Sequence, residues 1–414
     1  LGAALVPVNL RLADAEIDWI LDDCAVSVVV GDDGQIARLR HRAEPLLSFD
    51  GDDWRPGGGG AVPVDGSPDD DLLIVYTSGT TGRPKGAVLQ QRAVLANAEN
   101  ADGMFALTDD ELTLVCLPLF HVGGLNITAT PTLLAGGTVR CHGAFDPGRW
   151  LPDVEAHRPT TSILVPAMMT AVVAHPDVAT TDLSSLRYLA TGSSEVTEVL
   201  LRAFLDRGVP IGQVYGLTET APIAVHQVAA DVFDRVGSTG RAARLSALRI
   251  VSAEGEELPP GIEGEVQLGG PNLFDRYWND PEATADAKVD GWFRTGDMGV
   301  VDDTGELTIR GRIKEMIISG GENVYPAEVE RVLLGDARVA EVAVVGQADD
   351  RWGEVPVAIV VRRPGAEPTE AELLALFRDR LARFKHPAAV VFVDELPRNA
   401  MGKLQKVELR RQVA

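Results

Sequence analysis

Apolar residues along this chain recur in two patterns, and the point where one gives way to the other divides it. Up to about residue 220, short apolar runs at 72–76, 112–117 and 161–165 alternate with amphipathic stretches of helical length at 146–157 and 195–206. Runs this short suit strands buried on both faces, and the intervening helices would cover those faces. Between about 236 and 311, short strands at 248–252, 264–268 and 306–310 are separated by Gly, Asp and Pro turns, which predicts a small β subdomain. Beyond Arg312 the order strand, helix, strand, strand, helix, strand (316–319, 327–334, 339–345, 355–361, 370–380, 388–393) predicts a compact α+β unit. The expected fold class is α/β: a large N-terminal domain of helix-covered sheets over 1–311, including a β subdomain at about 236–311, and a C-terminal domain over 312–414.

Composition narrows the function. The chain has 414 residues, 45% of them hydrophobic, enough for more than one packed domain. A formal charge of −23 would repel nucleic-acid phosphates and anionic membranes, so neither is an expected partner. A nucleotide remains compatible, because a small basic, amide-lined pocket overrides the global field over a few ångströms. Cys24, Cys116 and Cys141 are too few and too scattered for a disulfide framework or a zinc cluster and read as core filler in a reducing compartment. No stretch reaches the ~20 apolar residues that span a bilayer, and the cytoplasm is the expected location. The opening residues, Leu1 to Asn9, read as a buried strand entered midway, which suggests an N-terminally incomplete chain. Gly57 to Gly60, beside Pro56, reads as a surface loop.

The strongest local signal is Tyr76-Thr-Ser-Gly-Thr-Thr-Gly-Arg-Pro-Lys-Gly86, which follows an apolar strand and precedes the helical stretch 92–105. Thr77, Ser78, Gly79, Thr80, Thr81 and Gly82 offer unhindered backbone N–H groups and hydroxyls to phosphate oxygens, and Lys85 adds a positive charge. A P-loop ATPase is disfavoured, since Lys85 stands between Pro84 and Gly86 instead of before Ser or Thr. Further on, Ala190-Thr-Gly-Ser-Ser-Glu195 ends an apolar strand where a crossover loop opens a crevice. In Gly291-Trp-Phe-Arg-Thr-Gly-Asp-Met298, Asp297 follows a tight glycine turn, where a carboxylate can accept two hydroxyls.

With these segments the chain resembles the adenylate-forming superfamily of acyl-CoA synthetases, peptide-synthetase adenylation domains and beetle luciferases, and the resemblance continues in order to the C-terminus. In Tyr215-Gly-Leu-Thr-Glu-Thr220 it implies that Tyr215 stacks on adenine, Thr218 meets the α-phosphate and Glu219 helps hold Mg²⁺. A carboxylate plus triphosphate oxygens suits such a hard cation. The resemblance also implies that Gly192, Ser193, Ser194 and Gly216 line the adenine pocket, although Ser193-Ser194-Glu195 departs from the usual small-residue-then-Pro pattern. It gives Asp297 and Arg312 to the ribose. Pro118-Leu-Phe-His-Val-Gly-Gly124 resembles the acyl-site motif, placing His121, Val122, Gly123 and Gly124 near the acid. His121 is not expected to act as a general base, because a carboxylic acid is already ionised at neutral pH. Lys314 would be the hinge of a mobile C-terminal lid, with Glu315 where Asp is frequent. Ser319, Gly320 and Gly321 would line the path of CoA. Within Leu396-Pro-Arg-Asn-Ala-Met-Gly-Lys-Leu404, Lys403 would be the adenylation lysine, with Lys406 replacing a common arginine.

The implied function is AMP-forming acyl-CoA synthesis from ATP, a carboxylic acid and CoA, with Lys403, Thr218 and Glu219 catalytic; a homodimer is left open. Met, Val, Leu and Ile dominate the segments expected to line the acid pocket (120–126, 165–169, 216–223), which favours a fatty or aromatic acid over a dicarboxylic one. A carrier-protein-loading adenylation domain, a nucleotide-binding regulator without catalysis and a light-emitting oxygenase are the competing readings.

Overall fold

The computed structural model describes residues 2–50, 65–77, 84–193, 196–320, 322–378, 380–398 and 404–413. Its widest sheet has seven strands in the order Arg241–Ala242, Val225–His226, Ile211–Tyr215, Tyr188–Gly192, Thr161–Ile163, Leu112–Val115, Thr138–Cys141. The five from Ile211–Tyr215 onward run parallel, and Tyr188–Gly192 is buried along its whole length. Such a strand needs no polar alternation, which is why the sequence shows apolar runs here. Helices Pro147–His157, Pro166–Ala174 and Glu198–Leu205 bring Trp150, Leu151, Met169, Val172, Leu201 and Phe204 into one core with Leu114, Ile163 and Leu189. The last of these helices starts later than its periodicity implies, because Thr197 caps it by accepting from the Leu200 N–H.

A second, antiparallel sheet holds Asp71–Thr77, Lys85–Gln90 and Arg276–Tyr277. The glycine- and threonine-rich segment therefore joins strand to strand, and the helix Gln91–Phe105 begins only after Lys85–Gln90. Ala87, Val88 and Leu89 are fully buried between partners on both sides, which explains why this run is a strand. The strand expected at the chain's first residues is reduced to one bridge between Leu5 and Leu73, with Leu5 exposed.

The predicted β subdomain is a five-stranded sheet of Ala247–Val251, Gly264–Gly269, Trp292–Val301, Lys288–Val289 and Leu307–Arg312. It is not packed by itself: Ile250, Val266, Leu268, Phe293 and Leu307 share a core with Leu73, Val75, Ala87 and Leu89 of the second sheet. Beyond it, Glu322–Val324, Ile317–Ser319, Gly353–Arg362, Val339–Asp349 and Ala389–Val393 form the C-terminal sheet. Helix Pro326–Leu334 lies against one apolar cluster and helix Lys406–Val413 against another. The helix predicted over 370–380 runs only from Glu370 to Ala375, because its last turn tightens as the buried Phe377 enters the core. Among the described residues no helix is long and apolar enough to cross a membrane.

Candidate active site

The stem of the phosphate-type turn is a strand pair. Thr77 lies opposite Lys85, and its hydroxyl donates to the Lys85 carbonyl at 3.4 Å. The Lys85 ammonium stands 5.3 Å from the centre of the Tyr277 ring. Ser78, Gly79, Thr80, Thr81 and Gly82 lie outside the described residues, as do Ser194, Gly321 and Lys403.

Tyr215 ends the interior strand Ile211–Tyr215, and its hydroxyl donates to Asp297 Oδ2 at 2.6 Å. The other carboxylate oxygen of Asp297 meets Arg312 Nε at 2.8 Å, and Arg312 also donates to the Thr295 carbonyl. Asp297 and Arg312 are register partners on adjacent strands, so pairing in the β subdomain sets this contact. Burial pushes the Asp297 carboxyl above its ordinary range, with the Arg312 charge and the Tyr215 bond opposing. Three residues drawn from three sequence motifs thus meet at one point.

Thr218–Thr220 is a single tight turn that buries Thr218 and Glu219. Glu219 Oε1 accepts from the Tyr277 hydroxyl at 2.6 Å, and its backbone carbonyl accepts from the Phe274 N–H. Tyr277 thereby touches both the carboxylate expected at the metal and the lysine expected at the phosphates. Sequence reasoning missed it; only the pairing of Arg276–Tyr277 with Lys85–Gln90 brings it there. Gly192 and Gly216 are glycines for steric reasons, since a Cβ at 192 would overlap the Val214 carbonyl oxygen and one at 216 the Pro222 carbonyl oxygen. Ser193 takes a left-handed φ of 74° beside them.

On the acyl side, His121 Nδ1 accepts the Gly123 N–H at 2.9 Å and caps the turn Val122–Gly124. An accepting Nδ1 carries no proton, which suits a cap. Gly123 and Gly124 do not leave open space: a Cβ at 123 would meet the His121 ring and one at 124 the Pro118 and Leu117 carbonyls. The chain then runs into a π-helical turn, Leu125–Ala129, a distortion often found at functional sites.

At the start of the C-terminal unit, Lys314 lies in the turn Ile313–Glu315. Two of the departures noted in the sequence are partners: the Lys406 ammonium meets Glu315 at 2.9 Å, and it also meets Glu330 at 3.1 Å. Burial alone would lower the Lys406 pKa, but the two carboxylates raise it above its ordinary value. Ser319 is buried, and Gly320, at φ 62°, packs so closely on Trp352 that a Cβ would come within 2.8 Å of the indole. Arg351 stacks on the exposed Trp352, its guanidinium 4.7 Å from the ring centre.

Residues 1–278 match the AMP-binding enzyme family and residues 328–403 the AMP-binding enzyme C-terminal domain. The chain is 47% identical to an indoleacetate–CoA ligase of Aromatoleum aromaticum, over 100% of this chain and 84% of that protein. It is 43% identical to a feruloyl-CoA synthase of an Amycolatopsis species, over 99% of this chain and 84% of that protein. Among solved structures, ATP-bound MatB from Rhodopseudomonas palustris superposes with a TM-score of 0.91 at 32% identity, covering 99% of this chain and 83% of that one. The chain belongs to the AMP-binding enzyme family and is an ATP-dependent acyl-CoA synthetase, an acid–thiol ligase working through an acyl-adenylate.

Proposed function

We propose that the acid is aromatic, of the arylacetic or arylpropenoic type, and that the residues above divide two half-reactions between them. The observation that carries the acid class is the graded similarity: 47% and 43% identity to proteins named for indoleacetate and ferulate, against 37% to one named for long-chain fatty acids. The segments 120–126, 165–169 and 216–223, in which Met, Val, Leu and Ile dominate, suit a ring.

In the first half-reaction a carboxylate oxygen attacks the α-phosphorus of ATP, the bond to the β-phosphate breaks, and pyrophosphate leaves. Residues 77–82 and Lys85 cradle the triphosphate, Thr218 meets the α-phosphate, and Lys403 offsets the charge where the two anions meet. Gly192, Ser193, Ser194 and Gly216 border the adenine, which lies on the Tyr215 ring; the bond from Tyr215 to Asp297 fixes the plane of that ring. Asp297 and Arg312 receive the ribose, and the guanidinium opposes the burial that pushes the carboxyl above its ordinary range. Glu219 would help hold Mg²⁺, because it is a buried carboxylate, a hard oxygen donor, steadied through Oε1 by the Tyr277 hydroxyl. When bound with ATP, Mg²⁺ would neutralise charge on the departing pyrophosphate.

In the second half-reaction the CoA thiol attacks the acyl carbon, the bond to AMP breaks, and AMP leaves. The C-terminal domain over 312–414 acts as a lid that turns about Lys314, withdrawing Lys403 and bringing Ser319, Gly320 and Gly321 to the pantetheine. Residence in the cytoplasm, where ATP and CoA are held, belongs to the same proposal.

The test is pyrophosphate release by the chain with ATP, Mg²⁺ and a panel of aromatic, fatty and dicarboxylic acids, with thioester formation followed after addition of CoA. Aromatic acids are expected to exceed fatty acids by at least ~10-fold in kcat/KM. A fatty or dicarboxylic acid as the best substrate would overturn the acid class.

A further inference from the structure

Helix Gln91–Phe105 carries two asparagines on the face it turns toward the site, Asn97 and Asn100, and both are buried to 1% or less. They do different things. Asn97 Nδ2 donates to the Asn126 carbonyl at 2.6 Å, inside the π-helical turn that continues from His121-Val-Gly-Gly124. Asn97 Oδ1 accepts from the Ile223 N–H at 2.8 Å, where the chain leaves the Tyr215–Thr220 segment. Asn100 also holds that exit, donating to the Ile223 carbonyl at 2.9 Å, but its other bonds go to Ser246 and the Leu245 N–H in the connection to the β subdomain. Asn272 holds the same carbonyl from the far side and also donates to the Thr220 carbonyl.

The exit of the nucleotide segment is therefore held from several directions, whereas Asn97 joins it directly to the acyl segment. A planar amide with one donor and one acceptor engaged fixes both the distance and the relative orientation of the two backbones it bridges. We infer that Asn97 is a positioning residue that sets the acid against the α-phosphate by locking the acyl segment to the nucleotide segment. It touches neither substrate. This inference rests on the adenylation reading of the site.

Three variants of the chain test it. Asn97→Ala is expected to raise the KM for the acid and lower kcat for pyrophosphate release, by about 10-fold or more in kcat/KM for the acid, while KM for ATP changes by less than about threefold. Asn97→Asp keeps the acceptor for Ile223 but sets a second oxygen against the Asn126 carbonyl, so the same loss is expected. Asn100→Ala, which breaks buried bonds to the same exit without touching the acyl segment, is expected to lower Tm comparably yet leave the KM for the acid within about threefold. Equal effects of Asn97→Ala and Asn100→Ala on the acid, or a wild-type acid KM in Asn97→Asp, would overturn the inference. If the Asn97 variants do not fold, hydrogen exchange in the unchanged enzyme decides. Acid is then expected to slow exchange in 122–129 and at Ile223 together, and slowing confined to 122–129 would overturn it. Failure of the unchanged enzyme to release pyrophosphate with any acid would instead strike the adenylation reading itself.

Discussion

The nucleotide side and the acyl side of the site are held by different kinds of bond. On the nucleotide side the decisive contacts join residues far apart in sequence: Tyr215 to Asp297 across 82 positions and Glu219 to Tyr277 across 58. On the acyl side the contact that shapes the segment is local, from His121 to a backbone N–H two residues on. Nucleotide geometry is thus a product of how three sheets assemble, while the acyl segment is shaped by its own turn and by the bridge through Asn97. A site built this way would hold the nucleotide through contacts that span the sheets and the acid through a segment shaped by its own turn.

The sharpest way to break this contrast is Asp297→Asn. It keeps the shape but removes the charge that Arg312 meets, with an expected loss of about 2–3 kcal/mol, or on the order of 100-fold in kcat/KM for ATP. The KM for the acid should change little, and steady-state kinetics with each substrate varied separately will show whether it does. A second test reaches the C-terminal unit. Lys406→Met leaves Glu315 and Glu330 without their shared cation, and about 2 kcal/mol of stability should be lost, less than for a fully buried pair because Glu315 is 39% exposed. The pH dependence has a definite sign. The Lys406 pKa is raised on folding above its ordinary 10.5, so its contribution is complete below about that pH and fades as pH climbs through the folded value. The Tm gap between wild type and Lys406→Met should hold through neutral pH and narrow only in that alkaline range.

Smaller effects sharpen the contrast. Tyr277→Phe removes one donor from Glu219 Oε1, worth about 1 kcal/mol, and should raise the Mg²⁺ needed for half-maximal rate by roughly fivefold. Binding of Mn²⁺ with ATP, measured by electron paramagnetic resonance, should weaken in parallel; unchanged Mn²⁺ binding would remove Tyr277 from the metal side. His121→Ala deletes a cap acceptor worth about 1 kcal/mol, and the KM for the acid is expected to rise a few-fold with that for ATP unchanged. His121→Asn, which can supply an acceptor from the same place, should recover most of it.

The same contrast explains what could be read from the sequence. The apolar runs at 112–117 and 161–165 announced buried parallel strands, and the string Tyr215-Gly-Leu-Thr-Glu-Thr220 marked the segment now proposed to meet the nucleotide. Strand Lys85–Gln90 escaped notice because its signal is a short apolar run next to a helix with the same composition, and only its two partners show it to be a strand. Tyr277 and Asn97 escaped for a related reason. A tyrosine in a turn-rich stretch and an asparagine in a helix carry no local mark, and each gains its place from a partner more than 25 residues away, 58 in one case and 29 in the other. Lys406 and Glu315 looked like two unrelated departures until the fold made them an ion pair. Pairwise relations over long separations are what single-sequence periodicity cannot hold.

The most direct measurement of the mechanism follows an oxygen atom. An aromatic acid labelled with ¹⁸O in its carboxylate is incubated with the enzyme, ATP, Mg²⁺ and CoA, and the products are weighed by mass spectrometry. If the carboxylate attacks the α-phosphorus and the thiol then breaks the acyl–oxygen bond, one labelled oxygen is expected in AMP and none in pyrophosphate. Label in pyrophosphate or inorganic phosphate, or thioester formed with unlabelled AMP, would contradict an acyl-adenylate at this site.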